Sequence, residues 1–170
     1  MRFRYQKIDD PEPETIMSTT GVTKIREKIV QRRGDNLLKK IEGLESGVLA
    51  RYNDYELTWH RDVIKENSKN ESKPTRFFPI ADSFEVIFVC FEEFTKRFGN
   101  EFLVQFEWPF VLQVKIRESK KFLESFYGGQ GTKDLVILKI HPDALFEVQE
   151  LEYDIKLFVA ANSLMGDCKS

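Results

Sequence analysis

Few residues of this chain have both the type and the spacing that bond-making chemistry needs. Two histidines, His60 and His141, and two cysteines, Cys90 and Cys168, are its only imidazole and thiol ligands for a metal. None has a partner at the short spacing that closes a zinc site, so no metal is expected. Cys90 falls in an apolar stretch, where burial raises a thiol pKa and denies access, which disfavours a Cys–His nucleophile. Ser46, in Leu44-Glu-Ser-Gly-Val48, keeps only one of the two glycines of a nucleophile elbow. Gly128-Gly-Gln-Gly131 falls in the order helix, glycines, strand, whereas a phosphate cradle needs a Lys-Ser or Lys-Thr that opens a helix after the glycines, so a helix stop accounts for it. No cofactor is expected.

Phosphoryl transfer is the nearest approach to catalysis. Gln113-Val-Lys115 on a predicted strand, with Asp82, Glu101 or Glu107, approximates the carboxylates and lysine with which sheet-borne nucleases hold divalent ions and neutralise phosphate. Gln113 stands where an acid belongs, and Asp82 is better explained as a helix N-cap. Glu101-Phe-Leu-Val104 followed by Trp108-Pro109 resembles the segment that bears the catalytic glutamate in DNA-targeting ADP-ribosyltransferase toxins, with Trp and Pro in the opposite order. That resemblance implies Glu101 as the residue orienting the ribose. The chain has no counterpart of the upstream residues that hold NAD in those enzymes.

Charge is distributed more tellingly than catalytic groups. Between Thr20 and Lys40 stand Lys24, Arg26, Lys28, Arg32, Arg33, Lys39 and Lys40 against only Glu27 and Asp35. Lys24, Lys28 and Arg32 share a helical face. One reading is a solvated face opposite an inward Val22, Ile25 and Ile29. The other is a docking surface for phosphate or for an acidic protein patch, with Lys24, Lys28, Arg32, Arg33, Lys39 and Lys40 as binding residues. Glu147, Glu150, Glu152 and Asp154 form an acidic strand face at the far end, so the chain is electrically bipolar. Complementary fields of that kind orient association with another protein. Tyr52, Tyr55, Trp59 and Trp108 are the aromatics least assigned to a core, and they would anchor an interface.

The elements that must position these groups follow from hydrophobic period. Arg2 to Ile8 alternates as a half-buried strand and is stopped by Pro11 and Pro13. Val22, Ile25 and Ile29 predict a helix over 20–33 with Gly34 as its cap. Leu37, Leu38, Ile41 and Leu44 predict a second helix over 36–46, N-capped by Asp35. Tyr55, Leu57 and Trp59 alternate as a strand. Residues 66–76 read as a flexible loop, with no apolar side chain from Glu66 to Pro74. Phe84, Ile87, Phe88, Phe91, Phe94 and Phe98 recur at helical intervals between Asp82 and Gly99 and predict a central, apolar helix. Two short strands flank Trp108-Pro109 between Glu101 and Ile116. A helix over 118–127 and a dense strand over 135–140, the most buried, come next. Leu151 to Val159 then alternates strictly as a half-exposed strand. Residues 162–170 read as a frayed tail.

Helices and strands without a βαβ rhythm predict an α+β fold, with a mixed, largely antiparallel sheet packed against a central apolar helix and two N-terminal helices. The 170 residues include 15 Phe and are expected to form one domain spanning 1–170. No apolar run approaches the ~20 residues of a membrane span. The opening residues lack the apolar core of a secretory signal and cysteines are few, so a cytoplasmic, soluble protein with no membrane partner is expected. Net charge is only −2, which advertises no nucleic acid overall. The expected function is that of a macromolecule-binding regulatory or inhibitory, immunity-like protein without its own catalytic centre. A protein partner leads, and nucleic acid at the basic helix follows. The alternatives are a small nucleic-acid-acting enzyme, using Lys115 with metal or Glu101 with NAD, and a structural subunit whose strand Leu151 to Val159 pairs with a neighbour.

Overall fold

The computed structural model of the chain describes residues 19–69, 71–130 and 134–162. The strand predicted over Arg2 to Ile8 and most of the predicted tail lie outside them, as do the side chains of Val22 and Asp82. Helix α1 (Thr19–Lys40) leads to strand β1 (Leu44–Arg51), and helix α2 (Thr58–Ser68) to strand β2 (Arg76–Pro79). Helix α3 (Ser83–Phe98) is followed by the hairpin β3 (Glu101–Gln105) and β4 (Phe110–Ile116). Helix α4 (Ser119–Gln130) precedes the meander β5 (Leu135–Lys139), β6 (Ala144–Glu150) and β7 (Asp154–Ala161). One seven-stranded sheet results, in the order β1-β4-β3-β5-β6-β7-β2, and every pairing is antiparallel. The class is α+β, as the patterning predicts.

The sheet buries a different core on each face. On one face α1, α3 and α4 pack through Ile41, Ile87, Phe91, Phe94, Phe122 and Phe126 onto Phe102, Leu112, Val114, Ile137 and Phe146. Phe91 sits at its centre, with ring centroids 5.3 Å from Phe146, 5.9 Å from Phe122 and 6.2 Å from Phe102. These offsets are those of favourable tilted and edge contacts. The phenylalanine period between Ser83 and Phe98 thus forms the central helix expected of it, closed at Gly99 with φ +85°. On the opposite face α2 covers a smaller cluster of Leu57, Leu103, Val111, Leu138 and Leu145. No described helix is long and apolar enough to cross a membrane.

Several local readings are corrected. The two N-terminal helices are one, α1, and Asp35 lies inside it. Gly34 is no cap: a Cβ there would stand 2.6 Å from Leu49 Cδ1, so its bareness lets α1 lie close on β1. Leu44 and Ser46 belong to β1, because sheet pairing with β4 takes over where the leucine period would carry the helix on. Tyr55 to His60 is not a strand; Tyr52–Asp54 is a 3-10 turn, and Trp59 and His60 lie in α2. The predicted loop over 66–76 begins inside α2, where Asn67 is buried, and ends on β2. The acid-flanked run after Leu151 is a turn; β7 starts at Asp154 and lies between β6 and β2, so it is not an edge. β6 has no alternation to betray it, since Ala144 to Val148 are all buried, and it exceeds β5 in burial.

Candidate docking surface

The phase of α1 decides what the basic helix presents. At about 100° per residue, Val30, Gly34, Leu37 and Ile41 form the inward stripe, and they are buried or partly buried. Ile25 and Ile29 then fall outside it. They are 62% and 49% exposed, which corrects the expectation that they face the core. Lys24, Lys28, Arg32, Arg33, Lys39 and Lys40 are all exposed. Ile25 and Ile29 therefore form an apolar stripe bordered by cations, on a helix already anchored by another face.

Beneath Lys24 and Lys28 runs a groove of about 520 Å³ between α1 and β1, lined also by Glu27, Gln31, Leu49, Ala50, Arg51, Asp54 and Phe110. Its acids are engaged by Arg51. The Arg51 guanidinium reaches Glu27 at 2.9 Å and sits 5.4 Å over the Phe110 ring, while its backbone N–H donates to Asp54 Oδ2. Lys24 and Lys28 make no ion pair among the described residues, nor do Arg32, Lys39 and Lys40. Arg33 is different: its Nη1 donates to both oxygens of Glu107, at 3.1 and 3.2 Å, tying α1 to the β3–β4 turn. That contact withdraws Glu107 from any site shared with Glu101.

Glu101 and Lys115 do meet, across the register of β3 and β4, at 3.9 Å. The closer partner of Lys115 is Glu45 on β1, at 2.9 Å. The hydrogen bond to Glu45, then its charge, with a smaller share from Glu101, raises the Lys115 pKa. This trio lies open on the sheet face, and neither the groove between α1 and β1 nor the hollow at Tyr52–Arg61 includes it. Gln113 accepts a hydrogen bond from the Tyr55 hydroxyl at 2.9 Å. No group of three or more His, Cys, Asp or Glu side chains able to hold a metal occurs among the described residues. Cys90 is buried on α3, and burial raises its thiol pKa. His60 is buried with Nε2 2.9 Å from the Lys139 carbonyl oxygen, which only accepts, so Nε2 carries a proton. Burial holds its pKa down.

Of the four unassigned aromatics, Trp108 alone is fully open, at 67% exposure, with Tyr52 against it at 5.5 Å between centroids. Trp59 packs edge-on to His60. Tyr153 and Phe77 are exposed too, and nothing in their spacing marks them out. The acidic strand face does not exist as expected. Glu147 is only 3% exposed on β6, while Glu152 stands in the turn before β7. Asn67 and Gln149 surround the Glu147 carboxylate, a constellation without any sequence signal because α2 and β6 are distant in the chain.

Comparison of the chain with protein-family models, with curated proteins and with solved structures finds no match.

Proposed function

We propose that this chain is a regulatory or inhibitory binding protein that acts by occupying a partner protein, and that α1 makes the contact. The observation that carries this reading is the outward Ile25 and Ile29 amid Lys24, Lys28 and Arg32. Covering an isoleucine side chain is worth roughly 1.5–3 kcal/mol, a driving force that a phosphate backbone cannot supply. The surrounding cations favour an acidic rim on the partner and steer its approach. A protein surface with an apolar patch inside a ring of carboxylates is therefore the best fit, ahead of nucleic acid.

The test uses the full chain and the protein it captures from its host, purified afterwards. Ile25→Asp with Ile29→Asp, and separately Lys24→Glu with Lys28→Glu, are expected to weaken affinity at least about tenfold each. Unchanged affinity in both variants would overturn the proposal. Affinity for nucleic acid lost with salt, and lost with the lysines but not the isoleucines, would replace it with the phosphate reading.

A further inference from the structure

We infer that the free edge of β1 receives an extended, acidic segment of the partner as an added strand. The inference rests on the proposed docking role of α1 and adds where and how the partner is held.

The two edges of the sheet are not alike. β2 is four residues long, with Arg76 at one end and Pro79 at the other, a short and guarded edge. β1 is eight residues long, and Ser46 to Ala50 carry neither charge nor proline. Such an edge is a template for pairing unless something covers it. The direction of its free groups follows from one bond. Tyr52 N–H donates to the Pro109 carbonyl, on the β4 side. Backbone groups alternate along a strand, so those of Val48 and Ala50 also face β4, and those of Gly47 and Leu49 point away from it. The outward N–H of Arg51 is already taken by Asp54 Oδ2 at 3.3 Å. Gly47 and Leu49 are left with no backbone partner among the described residues.

The chemistry of the occupant is set by what lies above that edge. The groove that Leu49, Ala50 and Arg51 line from below is lined by Lys24, Lys28 and Gln31 from α1. A strand added to β1 passes under two lysines that have no carboxylate partner among the described residues. On the other face of the sheet its neighbour is Val48, 55% exposed and paired with Gln113. Alternate side chains of the added strand therefore meet cations and an apolar group, which selects acidic residues alternating with apolar ones.

The probe is a labelled peptide of alternating valine and glutamate, as long as β1, with an analogue N-methylated at every second residue. Amide exchange is followed by NMR on the full chain. The expected result is binding that slows exchange at Gly47 and Leu49 by at least about tenfold and is abolished by N-methylation. Absence of binding at low salt overturns the inference. So does binding that leaves those two amides unchanged, or an N-methylated analogue that binds equally well. Amides already protected in the chain alone would show the edge filled from within, and concentration-dependent protection would show a second copy there; either overturns it. The Ile25 and Ile29 variants are read separately on the captured partner. Their loss of affinity alongside a silent edge leaves the docking role standing, and the reverse pattern removes that role.

Discussion

Asn67 Nδ2 donates to Glu147 Oε2 across 2.7 Å, and both residues are shut away from solvent. Gln149 Nε2 donates to the second carboxylate oxygen at 2.8 Å, and Ser72 Oγ donates to Asn67 Oδ1. A buried acid held by amides, with no ion pair among the described residues, fastens the end of α2 to β6. Asn67→Ala strips a buried carboxylate of a donor, which is expected to cost about 2–3 kcal/mol. Adding Glu147→Gln should recover part of that loss, because a neutral side chain is cheaper to leave unpaired. Urea unfolding of the single and double variants checks this, and a loss no larger than that of an ordinary surface substitution would refute it.

The same carboxyl makes stability depend on pH. Burial, the larger influence, raises the Glu147 pKa against the lowering effect of its two amide donors. A raised folded pKa means that the folded state binds the proton more tightly than the unfolded chain does. The contribution is full below the ordinary glutamate value, about 4.3, and is lost as pH rises through the folded value. Glu147→Gln should therefore gain relative to the natural chain near neutral pH, and the gain should shrink on acidification toward about pH 4. Parallel pH series of melting temperature for both proteins that do not converge would count against it.

Two glycines with positive φ separate backbone strain from steric contact. At Gly99, with φ +85°, a Cβ would meet only the Lys139 ammonium, 3.9 Å away, so Gly99→Ala is expected to cost about 1–2 kcal/mol through backbone strain alone. Gly43, at φ +75°, would place a Cβ 2.4 Å from the Glu118 carbonyl oxygen and 2.7 Å from the Phe122 nitrogen. Neither backbone atom can move freely, since Gly43 itself accepts hydrogen bonds from Arg117 and Glu118. Gly43→Ala should be the more damaging by at least about 1 kcal/mol. Equal losses in chemical denaturation would deny the close approach.

The phase of α1 can be tested without a partner. Ile25→Asp and Ile29→Asp alter exposed positions and should shift unfolding free energy by about 0.5 kcal/mol or less each. Val30→Ala removes buried methyl groups from the inward stripe and should cost about 1–3 kcal/mol. The opposite order would mean that the isoleucines face the sheet.

Electrostatics offers a separate measurement. Lys24 and Lys28 lack acidic partners among the described residues, whereas Arg33 is engaged with Glu107. Raising salt should weaken partner binding, and Lys24→Ala with Lys28→Ala should flatten that salt dependence more than Arg33→Ala does. Identical slopes in all three proteins would place the contact elsewhere.

Local pattern was enough wherever one element supplies its own evidence. The phenylalanines of α3 repeat at helical intervals and end at a glycine; β3 and β4 flank Pro109; β5 is a dense apolar run. Hence the α+β class and the central helix were legible in the residues alone. Elsewhere the sheet overrode local signals. Gly34 looks like a stop but serves the contact with Leu49, Leu44 continues a helical period while lying in β1, and β6 has no alternation because both its faces are covered. Charge positions anticipated that the basic side chains of α1 are exposed, yet not the exposure of Ile25 and Ile29, which depends on the face α1 gives to β1 and β4. The pairs Arg33 with Glu107, Lys115 with Glu45 and Asn67 with Glu147, and the open edge at Gly47 and Leu49, exist only once distant strands have found their order. Periodicity records how the backbone turns between neighbours; which side is covered, and which strand is left last in the row, is settled by segments far apart in the chain.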